Sequence, residues 1–238
     1  MKNSTAIHSQ YKAFTLMELL VVITIIAVLM GLLFPVIAAV RNSANKAQAS
    51  NDVVNIVTAV KAYYTDYGKY PLLDPQTYGA QVSAADTVYG DPNGLYPNYE
   101  LFNVLRCPAG WTDNQNASGP QNPRQIVYLD AKTVQNTARP RSGISTSATN
   151  VISPNGDTIK QGDWVDPWGN EYAIFVDATY DNSISSNGGG TLWFYYGSGN
   201  PGDGVVTTGV GACSLGKDGT WGTNGNGTWP GSDDVVSW

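Results

Sequence analysis

The chain is 238 residues long, carries a net charge of −6 and is only 13% charged, well under the roughly 25% of an average soluble protein. Gly (26) and Pro (13) are plentiful, which favours sheet joined by long loops over a helical bundle, and the length suits one modest domain plus an anchor. An acidic, Lys/Arg-poor chain lacks the basic footprint that phosphates require, so no nucleic-acid partner is expected.

The first thirteen residues contain Lys2 and Lys12 but no acid, and they also hold His8, the single histidine. Cutting the chain after them moves the net charge from −6 to −8 and leaves no histidine at all. Ser-His-Asp and Cys-His catalysis, His-ligated zinc and histidine general bases then drop out, and no Gly-rich phosphate loop is present. No spaced acid pair stands out either, so the chain is not expected to be an enzyme.

Leu19 to Val40 is a run of twenty-two residues without a charge. At about 1.5 Å per residue it spans roughly 33 Å, enough for a bilayer. A secretory signal would have a shorter apolar region and a small-residue cleavage site, whereas this run leads into Arg41. It is apolar on every face, which excludes an ordinary amphipathic core helix. The sequence therefore predicts a transmembrane helix, with the basic N-terminus in the cytoplasm and everything after Arg41 outside it. Glu18 sits at the edge of this run, where a carboxylate drawn into hydrocarbon costs a few kcal/mol. It either snorkels to the interface or requires a positive partner.

Beyond Arg41, Val53, Val57, Val60, Tyr64 and Tyr67 recur at spacings of 4, 3, 4 and 3, one helical stripe suited to packing on a sheet. Gly68 offers a C-cap and Pro71 forbids continuation, so a single helix is expected from about Phe14 to Tyr67. The stretch from Leu72 to Asp163 reads mostly as loop, with one strand signal at Ile126–Leu129, and with Tyr96, Tyr99 and Trp111 as local packing. Glu171–Val176 and Leu192–Tyr196 read as two antiparallel strands whose apolar faces cover the helix stripe. Cys107 and Cys213 are too far apart for a CxxC motif; in an oxidising compartment they either pair or stay as two buried thiols. Asp218, Asp233 and Asp234 lack EF-hand spacing and by themselves read as a solvated acidic turn.

Lys12-Ala13-Phe14-Thr15-Leu16-Met17-Glu18-Leu19-Leu20-Val21-Val22, with Pro35 seventeen residues after the Glu, resembles the processing signal of the type IV prepilin family, which includes the pseudopilins of type II secretion. The resemblance implies that a membrane aspartyl peptidase cuts between Ala13 and Phe14 and methylates the new Phe14 amine. Ala13 replaces the glycine usual in the family before the cut. It further implies that Glu18 is an assembly residue neutralised by the Phe14 amine of a neighbouring subunit, and that Pro35 marks where the helix loosens.

Three further stretches resemble the major pseudopilin of type II secretion: Tyr64–Pro71, Asp166–Tyr172, and Ser214–Gly219 with Asp233–Trp238. The middle of the chain, roughly 72–163, is longer than the family's usual insert and is not covered. The resemblance implies a Ca2+ ion in the C-terminal loop, with Asp218, Asp233 and Asp234 as carboxylate ligands and the Leu215 backbone carbonyl as another; calcium accepts six to eight hard oxygens, so these residues permit it. The family's acid-small-acid order reads Ser232-Asp233-Asp234 here.

The expectation is thus an α+β pilin fold, divided into a cytoplasmic leader (1–13), a transmembrane helix (14–40), an amphipathic helix (41–71), a loop-rich segment (72–163) and a sheet with a calcium-type C-terminal loop (164–238). The implied role is a structural subunit of an inner-membrane-derived periplasmic pseudopilus, partnered by copies of itself, other pseudopilins, the prepilin peptidase and the inner-membrane secretion platform. The alternatives are a type IV pilus subunit for adhesion, motility or DNA uptake, and a membrane-tethered glycan-binding module using Trp193, Trp221 and Trp229.

Overall fold

A computed structural model describes residues 15–71, 86–90, 96–109, 121–184, 206–219 and 233–238. The Ala13–Phe14 bond, the expected strand Leu192–Tyr196, and Trp111, Trp193, Trp221 and Trp229 lie outside them. The chain divides into two units, 1–44 and 45–238.

Helix α1 runs Leu16–Tyr67 and takes in Pro35. Pro35 has no N–H to donate to the carbonyl of Gly31, one turn earlier, so the helix passes this point one hydrogen bond short. In the first unit its apolar side chains are exposed all round, from Leu19 and Leu20 to Phe34 and Val36. This segment is long and apolar enough to cross a membrane, and its most apolar window is nowhere buried within the chain.

In the second unit α1 buries Ala49, Val53, Ile56, Ala59, Val60 and Tyr63. The buried stripe is therefore shifted from the expected one. Val53 and Val60 hold, Val57 and Tyr67 pack at its margin, and Tyr64 is 38% exposed, stacked on Tyr70 at 4.6 Å. Ile56 and Tyr63 fit the same 3–4 spacing, so spacing alone left the two stripes equivalent and the position of the sheet decides between them. Gly68 ends the helix as expected, in a left-handed conformation (φ 65°) with its N–H donating to the Tyr64 carbonyl at 2.8 Å.

The helix packs on an antiparallel four-stranded sheet, order β1-β6-β7-β8, where β1 is Thr87–Tyr89, β6 Ala173–Val176, β7 Val210–Ser214 and β8 Val235–Val236. With the helix this makes the α+β arrangement expected from the sequence. Strand alternation sends Ile174, Val176, Val210 and Ala212 into the core shared with α1. Ala173, Phe175 and Cys213 face the other way, into a second cluster with Ile184 and Val206 that Trp238 partly covers. Both faces are thus buried, which explains why every residue of β6 and β7 is buried. Along 174–176 both edges of β6 are occupied, by β1 and β7.

Between β1 and β6 lie helix α2 (Asn98–Arg106) and short ribbons pairing β2 (Gly143–Ile144) with β5 (Trp164–Val165) and β3 (Val151–Ile152) with β4 (Thr158–Ile159). Helix α2 falls inside the stretch read as loop. Its Leu101, Phe102, Val104 and Leu105 join the main core, and Asn98 pins it: Nδ2 donates to the carbonyls of Trp164 (3.0 Å) and Tyr172 (3.1 Å), while Oδ1 accepts the Trp164 N–H. Gly90 is dictated by the same junction, since a Cβ there would lie 2.1 Å from the Tyr172 carbonyl oxygen. Ile126–Leu129, expected as a strand, forms none. The N–H groups of Tyr128 and Leu129 both reach the Leu105 carbonyl at the end of α2, and Asn122 Oδ1 takes the N–H of Ile126, which uses up the donors a ladder would need.

The shifted stripe is directly testable. Ile56→Ala should destabilise the folded unit by about 2–5 kcal/mol. Val54→Ala, on the exposed side of the same turn, should stay within about 0.5 kcal/mol in denaturant titrations.

Candidate functional site

Two places bring predicted functional residues into defined surroundings. The first is the start of α1. Thr15 and Glu18 form a reciprocal capping box: Glu18 Oε2 accepts the Thr15 backbone N–H (2.9 Å) and its hydroxyl (2.8 Å), while the Glu18 N–H donates to Thr15 Oγ1 (3.2 Å). Thr-x-x-Glu is a readable N-terminal helix signature, so Thr15, quoted above only as part of the processing motif, has a capping role as well. The arrangement fixes the carboxylate at the N-terminal end of the helix, where the helix dipole favours an anion. Ala13 and Phe14 lie outside the described residues.

The second place is the C-terminal loop, Leu215–Gly219, with Asp233 and Asp234. Gly216 and Gly219 are left-handed (φ 66° and 67°), and a Cβ on Gly216 would meet the Asp233 carbonyl oxygen at 2.6 Å. Asp233 Oδ2 accepts the N–H of Lys217 (2.6 Å) and of Asp218 (3.2 Å), so the loop closes around this carboxylate. Asp234 is buried at the start of the approach to β8, and the Asp218 residue is exposed. Among the described residues no three acidic, histidine or cysteine side chains converge on one point. The donors gathered here are hard oxygens throughout, carboxylate, carbonyl and amide, a set that suits calcium or another hard cation when backbone and amide oxygens complete the shell.

The floor of this loop is the turn 166–170. Asp166 is buried, and its Oδ1 accepts the N–H groups of Trp168 (2.8 Å), Gly169 (2.7 Å) and Asn170 (2.9 Å), while Oδ2 accepts the Ser214 hydroxyl (2.7 Å). Burial pushes its carboxyl up to about 6 against these four donors. Asn170, fully buried, donates from Nδ2 to the Gly216 carbonyl at 3.0 Å. One carboxylate thus orders the turn and fastens it to β7 beside the candidate loop.

Cys107 and Cys213 do not form a disulfide. Cys107 caps α2 in a left-handed conformation, at the end of a helix packed into the main core, whereas Cys213 points into the cluster on the opposite face of the sheet.

A buried acid pair joins α2 to the sheet. Asp163 Oδ1 accepts the Tyr99 N–H (2.9 Å), acting as a cap from outside the helix, and Oδ2 accepts the Lys160 N–H (2.5 Å). Glu171 is hydrogen-bonded to Asp163, and burial followed by the Asp163 charge pushes its carboxyl up to about 9. Because Asp163 is committed to two backbone donors, the proton resides on Glu171. The folded state keeps this proton where the unfolded chain, with a glutamate near 4.5, has released it. The stability it carries is therefore fully present below pH 4.5 and is lost as pH rises towards 9. Glu171→Gln, which keeps a donor to Asp163 without the titration, should match the parent near pH 4 and unfold at a higher temperature by pH 8–9. Each ~1 kcal/mol gained corresponds to about 2–4 °C in a unit of this size.

The family described as "Prokaryotic N-terminal methylation motif" matches residues 8–34, which includes Thr15 and Glu18 and stops just before Pro35. Type II secretion system core protein G of Pectobacterium carotovorum subsp. carotovorum is 35% identical over 60 residues, which cover 25% of this chain and 38% of that protein. The match thus spans under two fifths of that relative's length. No solved structure matches the chain. Through its N-terminal motif and over a quarter of its length, the chain is therefore similar to type IV pilin-like proteins, and among them to a G-type pseudopilin of type II secretion.

Proposed function

We propose that the chain is a structural, non-enzymatic subunit that is cut between Ala13 and Phe14 by prepilin peptidase, methylated at Phe14, and polymerised with copies of itself into the periplasmic pseudopilus of a type II secretion system. The observation that carries this reading is the start of α1, an apolar helix exposed on every side with one carboxylate fixed at its first turn by Thr15. A surface apolar all round needs lipid or other apolar helices against it, and a carboxylate moved from lipid into a helix bundle needs a positive partner. The Phe14 amine of a neighbouring copy supplies that charge. Lys2 and Lys12 hold the N-terminus in the cytoplasm, so residues after Arg41 face the periplasm, where other pseudopilins and the secretion platform would meet them.

The C-terminal loop supports a calcium ion within the same reading. Asp233, Asp218, Asp234 and the Leu215 carbonyl are the ligands expected of it; the three acids do not converge in this structure, so an ion would have to draw them together, neutralising them and fastening Leu215–Gly219 to the residues leading into β8. Calcium that binds only the folded state raises its stability, by about 2.7 kcal/mol at a hundredfold excess over Kd.

Two experiments test this. Glu18→Gln keeps a capping side chain but removes the charge; it should insert and be cleaved yet fail to enter filaments in a crosslinking assay, and normal incorporation would overturn the charge-pairing role. Thermal unfolding of the full chain in detergent should show a calcium-dependent rise that EDTA reverses and that Asp233→Ala or Asp218→Ala abolishes. An unchanged transition in a well-folded sample would remove the calcium site.

A further inference from the structure

Asn170 is fully buried, and its side-chain oxygen meets no hydrogen-bond donor among the described residues. Its orientation is settled by its other end, since only the NH2 group can donate to the Gly216 carbonyl, so Oδ1 is the atom left over. Burying an unsatisfied amide oxygen is costly, and a fold sustains that cost when something other than the protein satisfies the oxygen. The position of Oδ1 shows where that would be. A Cβ built on Gly219 would lie 3.2 Å from it, so the oxygen abuts the Gly216–Gly219 turn, the turn whose Lys217 and Asp218 amides hold Asp233. The space beside Gly219 is also closed by Asn155, whose Cβ would be 2.9 Å from the same added atom, so only glycine keeps this approach open. Three backbone donors and Ser214 lock the supporting turn onto Asp166, which leaves the Asn170 side chain little freedom to look elsewhere.

We propose that Asn170 contributes its side-chain oxygen to a hard divalent cation held by the Gly216–Gly219 turn and Asp233, so that the turn after Asp166 is part of that site. The inference rests on the calcium reading above and adds a neutral ligand from a different part of the chain. It fits the finding that three acidic side chains do not converge there, because a shell of six to eight oxygens must then draw on amides and carbonyls.

Calcium titration by calorimetry on the full chain in detergent, for the parent, Asn170→Ala and Asn170→Asp, tests it. Both substitutions remove the N–H that braces the Gly216 carbonyl, but only Ala removes the oxygen. A ligating oxygen predicts that Ala weakens calcium binding at least tenfold while Asp retains or tightens it. Equal weakening by both variants, or none by Ala, overturns the proposal and leaves the calcium reading standing; a parent that binds no calcium overturns both. If the Ala variant does not fold, as judged by circular dichroism, the Asp variant decides alone: binding at or above the parent's supports ligation, and tenfold loss refutes it.

Discussion

The second unit depends on one apolar contact, the packing of Val53, Ile56, Val60 and Tyr63 of α1 against Ile174, Val176, Val210 and Ala212 of the sheet. The strands are short, several of only two residues, and ladders of that length do not persist in water by themselves. They persist here because the helix removes one sheet face from water, and Ile184, Val206 and Trp238 cover part of the other. Hydrophobic burial supplies the driving force and says little about register.

Register is set by a few buried polar side chains, each tied to backbone groups that would otherwise be unpaired. Asn98 holds α2 to β5 and to the start of β6, Asn122 holds its segment to Val104 and Tyr67, and Asp166 holds the turn 166–170 to β7. Asp177 does the same beyond β6, accepting the N–H groups of Tyr180 and Asn182, both at φ 61°, so that the Tyr180 ring stacks on Tyr70. A buried carboxylate or amide with all its partners met has a single satisfactory geometry, and a loop-rich domain gains a defined shape from such residues. Glu171 departs from this pattern: it is buried against another acid and stays neutral to do so, which makes the junction of α2 with the sheet sensitive to pH.

The two candidate sites sit at opposite extremes of legibility. At the N-terminus the helix, its apolar surface and Glu18 could all be read directly, because twenty-two uncharged residues have one physical interpretation and a lone acid beside them demands an explanation. Thr15 was equally readable through its spacing to Glu18. In the C-terminal loop the acids were visible, but Asn170 lies far from them in sequence and resembles any other turn asparagine until its amide is seen against Gly216. Helix α2 escaped notice because nine residues flanked by Gly and Pro give too few turns for a periodic signal.

Residue order alone was enough for the long N-terminal helix with its apolar first half, its end at Gly68, a strand within 171–176 and the acidic character of the chain. Composition and local spacing suffice for these, because each depends on neighbours within a few residues. Long-range packing settles which of two equivalent stripes of α1 is buried, which strands flank β6, that Tyr128 and Leu129 spend their N–H groups on α2 rather than on a ladder, and that Cys107 and Cys213 stay free. Those outcomes depend on pairing across tens of residues, where several arrangements satisfy the local chemistry and the shared core selects one.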